Sequence, residues 1–186
     1  MTTVFLSGSR KISRLNDVIR ERIENIVEQG FQIVVGDASG ADKAMQSYLA
    51  ERHYPKVSVF CAGNTCRNNV GSWETRKVDV DKKLKGRAFY TQKDKAMAAE
   101  ADFGFVLWDG KSEGSINNVF ELLNSGKKAV VYFAPRKEFF NVKSADDAER
   151  LLKICEPNTS LELQGSSNIR RQMESLNITA QRSLHL

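Results

Sequence analysis

Short apolar runs alternate along the chain with longer stretches in which apolar residues recur every three or four positions. Val4-Phe5-Leu6 is the first run, and Val18, Ile19, Ile23, Ile26 and Val27 then fall at helical spacing between Asn16 and Gln29. Gly30 stops that helix. Phe31 to Val35 is nearly all apolar, as a strand buried on both faces of a parallel sheet requires. Ala41, Ala44, Met45, Tyr48 and Leu49 form the stripe of a second helix over Gly40 to Arg52, and Val57 to Phe60 is a third strand.

The alternation lapses at Ala62. Gly63 to about Gln92 is polar and basic with little sustained period, which predicts a long functional loop or an excursion with a short helix. Order returns with a helix over Lys93 to Glu100, a strand over Asp102 to Leu107, a helix over Ser115 to Ser125 closed by Gly126, and a strand over Ala129 to Phe133. Beyond Pro135 the pattern predicts an edge strand over Phe139 to Val142, a helix over Ala145 to Ile154 capped by Ser144, and a helix over Asn168 to Leu176. The last ten residues carry no structural expectation.

Five strands separated by helices predict an α/β chain, a Rossmann-like three-layer fold with a mainly parallel sheet of five or more strands. Residues 1–143 are expected to form the ligand-binding domain. Residues 144–186 are expected to be a helical extension with a polar tail, packed on the same domain.

The chain has 186 residues, 41% of them hydrophobic, which suits one domain with a substantial core. Its net charge is +5, and Asn64 to Lys95 holds nine Lys or Arg against four Asp or Glu, so this segment carries the whole excess. It must face solvent or an anion. Three cysteines, Cys61, Cys66 and Cys155, with no signal peptide before them, argue against a disulfide framework and for a cytoplasmic location. Histidine occurs only at 53 and 185, so a zinc site is not expected. No apolar stretch approaches the roughly 20 residues of a spanning helix.

Chemistry concentrates in three turns at strand ends. Ser7-Gly8-Ser9-Arg10 offers hydroxyls, amides and a guanidinium to a phosphate, although a tight turn with a solvated arginine has the same composition. Gly36-Asp37-Ala38-Ser39-Gly40-Ala41-Asp42 offers a carboxylate for a ribose hydroxyl and a helix start for an anion; alternatively Asp37 or Ser39 caps the helix and Asp42 complements its dipole. Trp108 to Asn118 leads from the fourth strand into a helix through Gly114-Ser115, with Trp108 available to stack on a base. In an open α/β sheet such turns share one pocket at the carboxyl ends of the strands.

The segments FLSGSR, VVGDASGAD, AADFGFVLWDGKSEGSINNVFELL and GKKAVVYF resemble the SLOG superfamily, which includes the Lonely-guy phosphoribohydrolases, the DNA-processing protein DprA and the YspA/YpsA-like proteins. The likeness covers roughly residues 3 to 134 and is nearest to the YspA-like branch. It implies a nucleotide or nucleotide-derived ligand, and a homo-oligomer is compatible with it. The Lonely-guy enzymes cleave the base from nucleoside monophosphates with a PGGxGTxxE loop preceded by an Arg-Lys pair. The pair falls here on Lys93 and Asp94, Gly-Thr on Gly114-Ser115, and the catalytic Glu on Asn118. An amide cannot serve as a general acid or base, so this departure bears directly on catalysis.

Glu121, three residues beyond Asn118, is expected on the same side of the helix, and Asp37, Asp109 and Glu113 are further carboxylates within the turns. Two hypotheses follow. The chain is a nucleotide-binding sensor, or it is a nucleoside monophosphate N-glycosidase in which Glu121 or an aspartate such as Asp37 does the chemistry and Asn118 stands at the catalytic Glu position. Gly8, Ser9, Arg10, Gly36, Asp37, Ser39, Gly40, Asp42, Arg87, Lys93, Trp108, Gly114 and Ser115 are the candidate ligand contacts. The basic segment, with Arg67, Arg76, Lys77, Lys82, Lys83, Lys85 and Arg87 interleaved with Trp73, Phe89 and Tyr90, reads as a lid supplying Arg87 or Lys93; DprA-like binding of single-stranded DNA is the minor alternative. No metal or other cofactor is demanded by this inventory, and no membrane partner is expected.

Overall fold

The computed structural model describes residues 1–184, with side chains described through residue 178. Seven strands form one sheet: β1 (Thr3–Gly8), β2 (Gln32–Gly36), β3 (Val57–Ala62), β4 (Glu74–Val78), β5 (Phe103–Trp108), β6 (Lys128–Phe133) and β7 (Glu138–Val142). Their spatial order is β4-β3-β2-β1-β5-β6-β7. All neighbours run parallel except β6 and β7, which form an antiparallel pair with Val131 opposite Phe140. The chain is an α/β protein of Rossmann-like architecture.

Residue alternation in β1 divides the core in two. Val4 and Leu6 meet Ile19, Ile23 and Ile26 of α1 (Asp17–Glu28) and Met45 and Leu49 of α2 (Ala41–Glu51). Phe5 points to the other face, where Met97 of α3 (Gly86–Glu100) and Ile116, Val119 and Phe120 of α4 (Glu113–Asn124) pack. Each such fully buried side chain contributes on the order of 1.5–3 kcal/mol. Three more helices, α5 (Ala145–Lys153), α6 (Pro157–Gly165) and α7 (Ser167–Leu184), extend this second layer, adding Leu151, Leu152, Leu163 and Ile169 to the same core. Ser144 caps α5 by accepting a bond from Asp147 N at 3.2 Å.

Three features depart from the sequence expectation. The segment 63–92 is not a single loop: it contains β4 and the first two turns of α3. β4 is an edge strand whose first four side chains are exposed, so it has no apolar alternation to reveal it. α3 buries only Lys93, Met97 and Ala98, none of them in its first seven residues, which leaves that part looking irregular in sequence. At the other end α6 is an additional helix, and α7 continues past Leu176 to Leu184, through most of the segment given no structural expectation. α6 buries only Ser160 and Leu163, too little for a visible stripe. Residues 185–186 lie outside the described residues.

Cys61 and Cys66 are paired in a disulfide, with Cα atoms 5.1 Å apart, whereas Cys155 is a buried free thiol. The odd cysteine count argues against a disulfide framework; this one local bridge forms because the chain after β3 doubles back within five residues.

β1 lies at the topological switch point. The chain leaves it toward β2, β3 and β4 on one side, then returns through α3 to β5 on the other. Helix starts diverge there and open a crevice beyond the carboxyl ends of β1 and β5.

Candidate functional site

A cavity of about 570 Å³ occupies this crevice. It is lined by Gly8 and Arg10 from the β1 turn, Asp42 from α2, Arg67 from the β3–β4 connection, Arg87, Tyr90, Lys93 and Asp94 from α3, Asp109 from the turn after β5, and Gly114, Ser115 and Asn118 from α4. Lys11 and Lys111 also reach it, so six cationic side chains face three carboxylates.

Hydroxyls join the first and third turns. Ser9, fully buried, donates from Oγ to Asp109 Oδ1 at 3.0 Å and accepts from Asp109 N at 3.1 Å. Ser9 Oγ also lies 3.0 Å from Ser115 Oγ. Asp109 Oδ1 accepts from the backbone N–H groups of Lys111 and Ser112 at 3.0 and 2.7 Å, folding the loop before α4. The close approach of β1 to β5 needs Gly8, since a Cβ there would lie 2.6 Å from Leu107 O and 2.7 Å from Ala41 Cβ.

The second turn is built around charge. Asp37, its side chain 2% exposed, accepts from Arg67 three times: from the backbone N at 3.0 Å, from Nε at 3.1 Å and from Nη2 at 2.5 Å. Burial pushes the Asp37 carboxyl up, but the Arg67 bonds and charge, with help from Lys93, outweigh this and hold it below its ordinary value. The Arg67 guanidinium lies 4.2 Å from the centre of the Tyr90 ring, and Arg10 lies 5.9 Å from the same ring.

Lys93 is buried, and its Nζ donates to Asp94 Oδ1 at 2.7 Å. Burial pulls its ammonium down, yet Asp94, Asp42 and Asp37 prevail and raise it. Asp42 has the opposite imbalance: burial, with the Asp94 and Asp37 charges, pushes its carboxyl up to about 6 against the pull of Lys93 and an Ala38 N–H bond.

A pH prediction follows from Asp42. Its folded value, about 6, stands above the ordinary 3.8, so the folded state binds a proton that the unfolded state releases and stability grows as pH falls from about 6 toward 4. The full gain is about 3 kcal/mol. Asp42→Asn should lack this gain, so urea unfolding at pH 7 and pH 4.5 should show a smaller rise in the variant. Asp37 acts in a lower window, because its depressed carboxyl supplies stability above about 4 that is lost on further acidification. Equal pH dependence in wild type and variant would remove Asp42 from this role.

The structure separates the candidate residues. Gly8, Arg10, Asp42, Arg87, Lys93, Gly114, Ser115 and Asn118 meet in the cavity wall, with Ser9 bonded just behind it. Gly36 sits behind Asp42 and Lys93, where a Cβ would come within 2.7 Å of Lys93 Nζ. Gly40 packs on the Arg10 backbone, and Ser39 is exposed. Neither lines the cavity.

Trp108 does not stack on a ligand: it is fully buried, packs against Phe133 with ring centres 5.5 Å apart, and donates from Nε1 to Ser112 O. Glu121 does not line the cavity with Asn118; its Oε1 accepts from Gln172 Nε2 of α7 at 2.6 Å. Three residues make one α-helical turn only approximately, and the rotation left over carries Glu121 toward α7. Arg87 is engaged on the rim with Glu113, at 2.8 Å. Arg67 and Tyr90, which the sequence marks only as members of the basic lid segment, and Lys11 and Lys111, which were not among the candidate contacts, also line the cavity.

Chemically, the wall can hold an anion by several cations at once and offers polar groups to a sugar or base. It is poorer in catalytic groups. Asp94 is engaged by Lys93 and Asp109 by backbone amides, and Asn118 cannot exchange a proton. Among the described residues no group of three or more His, Cys, Asp or Glu is placed to hold a metal ion, and no helix is long and apolar enough to cross a membrane.

No family model matches the chain, and no curated protein matches it. A solved structure similar to it is DNA processing protein A from Helicobacter pylori, described for a unique mode of single-stranded DNA binding. The two are 16% identical with a TM-score of 0.54, over 70% of this chain and 64% of that one. This chain thus spans just under two thirds of that neighbour. At this identity the likeness shows a shared Rossmann-like fold.

Proposed function

We propose that the chain binds a nucleotide or nucleotide-derived ligand at the carboxyl edge of the sheet and acts as a sensor or carrier of it, in keeping with its sequence resemblance to the YspA-like branch of the SLOG superfamily. The observation that carries this reading is the convergence of six cationic side chains on one cavity at the switch point of the sheet. Arg10, Arg87, Lys111 and the start of α4 would take the phosphate. Tyr90 offers a ring to the base, and Asp42, Lys93 and Asn118 offer polar partners to the remainder.

The test is thermal shift with a panel of nucleoside monophosphates and NAD, paired with chromatography for released base. Wild type should be stabilised by at least one compound with no base released. Arg10→Ala should weaken binding of that compound roughly ten- to a hundredfold, the range of a lost hydrogen bond to a charged group. Absence of any shift across the panel would sink the nucleotide reading.

Nucleotide N-glycosidase activity is the second reading, favoured by Asp42, a cavity carboxyl held near 6 and therefore able to exchange a proton near neutrality. Released base, lost in Asp42→Asn, would establish it. Binding of single-stranded DNA is a third reading, resting on exposed Lys82, Lys83 and Lys85 in the loop that precedes α3. It requires oligothymidine binding that weakens steeply with salt.

A further inference from the structure

The Cys61–Cys66 pair plays no part in the binding chemistry above, yet it fastens one wall of the cavity. β3 and β4 are parallel neighbours joined by residues 63–73, a connection with no helix that runs back along α2 as a strap. Its bonds can be followed in order. Arg67 holds Asp37, Asn68 Nδ2 donates to Asp37 O at 2.8 Å, Val70 N donates to Gln46 Oε1 at 2.9 Å, and Trp73 Nε1 donates to Tyr54 O at 2.8 Å. The disulfide closes the start of the strap onto β3, and the residue it immediately precedes is Arg67.

We propose that Cys61–Cys66 is a reversible thiol–disulfide site, opened by a dithiol, that controls how firmly the strap holds Arg67 in the cavity wall. The two sulfurs are unequal. Cys61 is fully buried on β3, whereas Cys66 is partly exposed, so Cys66 is the more accessible of the two to attack. A thiolate of the dithiol attacks Cys66 Sγ, the S–S bond breaks, and Cys61 leaves as a thiolate that takes up a proton. The second thiol of the reagent loses its proton and attacks the reagent's own sulfur in the mixed disulfide, releasing Cys66 as a thiolate that is protonated in turn. The protein gains two electrons and two protons, and the reagent becomes a cyclic disulfide.

Cys155 is a built-in control. It is buried far along the chain in the α5 layer, and burial pushes its thiol up to about 11, which keeps it protonated and unreactive. Opening the bridge leaves the Arg67–Asp37 bonds available but removes the covalent restraint on the backbone that presents them. Local opening of the strap then becomes more frequent.

The full chain, equilibrated in oxidised glutathione or in dithiothreitol, is to be quenched, alkylated and read by mass spectrometry, with hydrogen exchange followed across residues 63–73. The expected result is protection of Cys61 and Cys66 from alkylation under oxidising conditions, modification of both after reduction, and exchange across Arg67 to Val70 about tenfold faster in the reduced chain. Cys66→Ser in oxidised glutathione should exchange like the reduced wild type. If that variant does not fold, the two redox forms of the unaltered chain still carry the comparison. Free thiols at both positions in oxidised glutathione, or equal exchange in the two forms, would overturn the proposal. Neither readout depends on the ligand.

Discussion

Asp37→Ala is expected to lower the unfolding free energy by about 3 kcal/mol and the melting temperature by roughly 6–12 °C. The carboxylate is 2% exposed and receives three bonds from Arg67, so its removal leaves a guanidinium and a backbone N–H without their acceptor. Breaking a buried pair typically costs about 3–5 kcal/mol. The lower end applies because the Arg67 side chain is 29% exposed and can turn toward water. A double-mutant cycle with Arg67→Ala, followed by urea unfolding, isolates the pair. The double variant should lose less than the sum of the single losses, since Arg67→Ala alone strands a buried carboxylate. Additive losses below about 0.5 kcal/mol each would mean that the pair does not support the fold.

This result would also reassign Asp37. As a sequence feature it reads as a ribose or catalytic carboxylate, because an acidic residue in a glycine turn has that chemistry available. Its assigned partner, Arg67, lies thirty residues away in a segment without periodicity, and nothing local announces the pairing. The buried strands behave differently. Phe31 to Val35 and Asp102 to Leu107 were legible because both faces of a central parallel strand are covered, which makes the run continuously apolar. β4 was not, because an edge strand with exposed side chains satisfies its backbone without an apolar pattern.

The site was legible at the same level. Turns at the ends of β1, β2 and β5 do converge, since the order of strands and helices dictates a switch point and hence a crevice. Which side chains enter it depends on helix rotation and tertiary partners. Asn118 lines the cavity while Glu121 is bonded to Gln172, and Trp108 fills core space against Phe133. Those outcomes are set by α7 and by the packing of β6, which a reading of the turns alone does not contain.

Gly40→Ala is expected to cost about 3 kcal/mol or more, from two separate causes. Gly40 has φ +80° and ψ −126°, a region open in practice to glycine alone, and it stands at the N-cap of α2. A Cβ there would also overlap the backbone of Arg10, so the turn carrying the cavity arginine would have to move. The two turns are tied at this point by the Ala41 N–H bond to Ser9 O at 3.3 Å. Gly126→Ala is the reference for a positive-φ glycine without contacts: Gly126 has φ +71°, and no atom lies within 4 Å of a Cβ built there. That variant should therefore lose only about 1 kcal/mol, the penalty of the left-handed backbone. Urea unfolding of both variants measures the difference, and equal losses would show that contact with Arg10 is immaterial. If the contact matters, Gly40→Ala should also weaken binding of any compound held through Arg10, whereas Gly126→Ala should leave binding unchanged. The glycine of the second turn would then act on the site through the shape of the first.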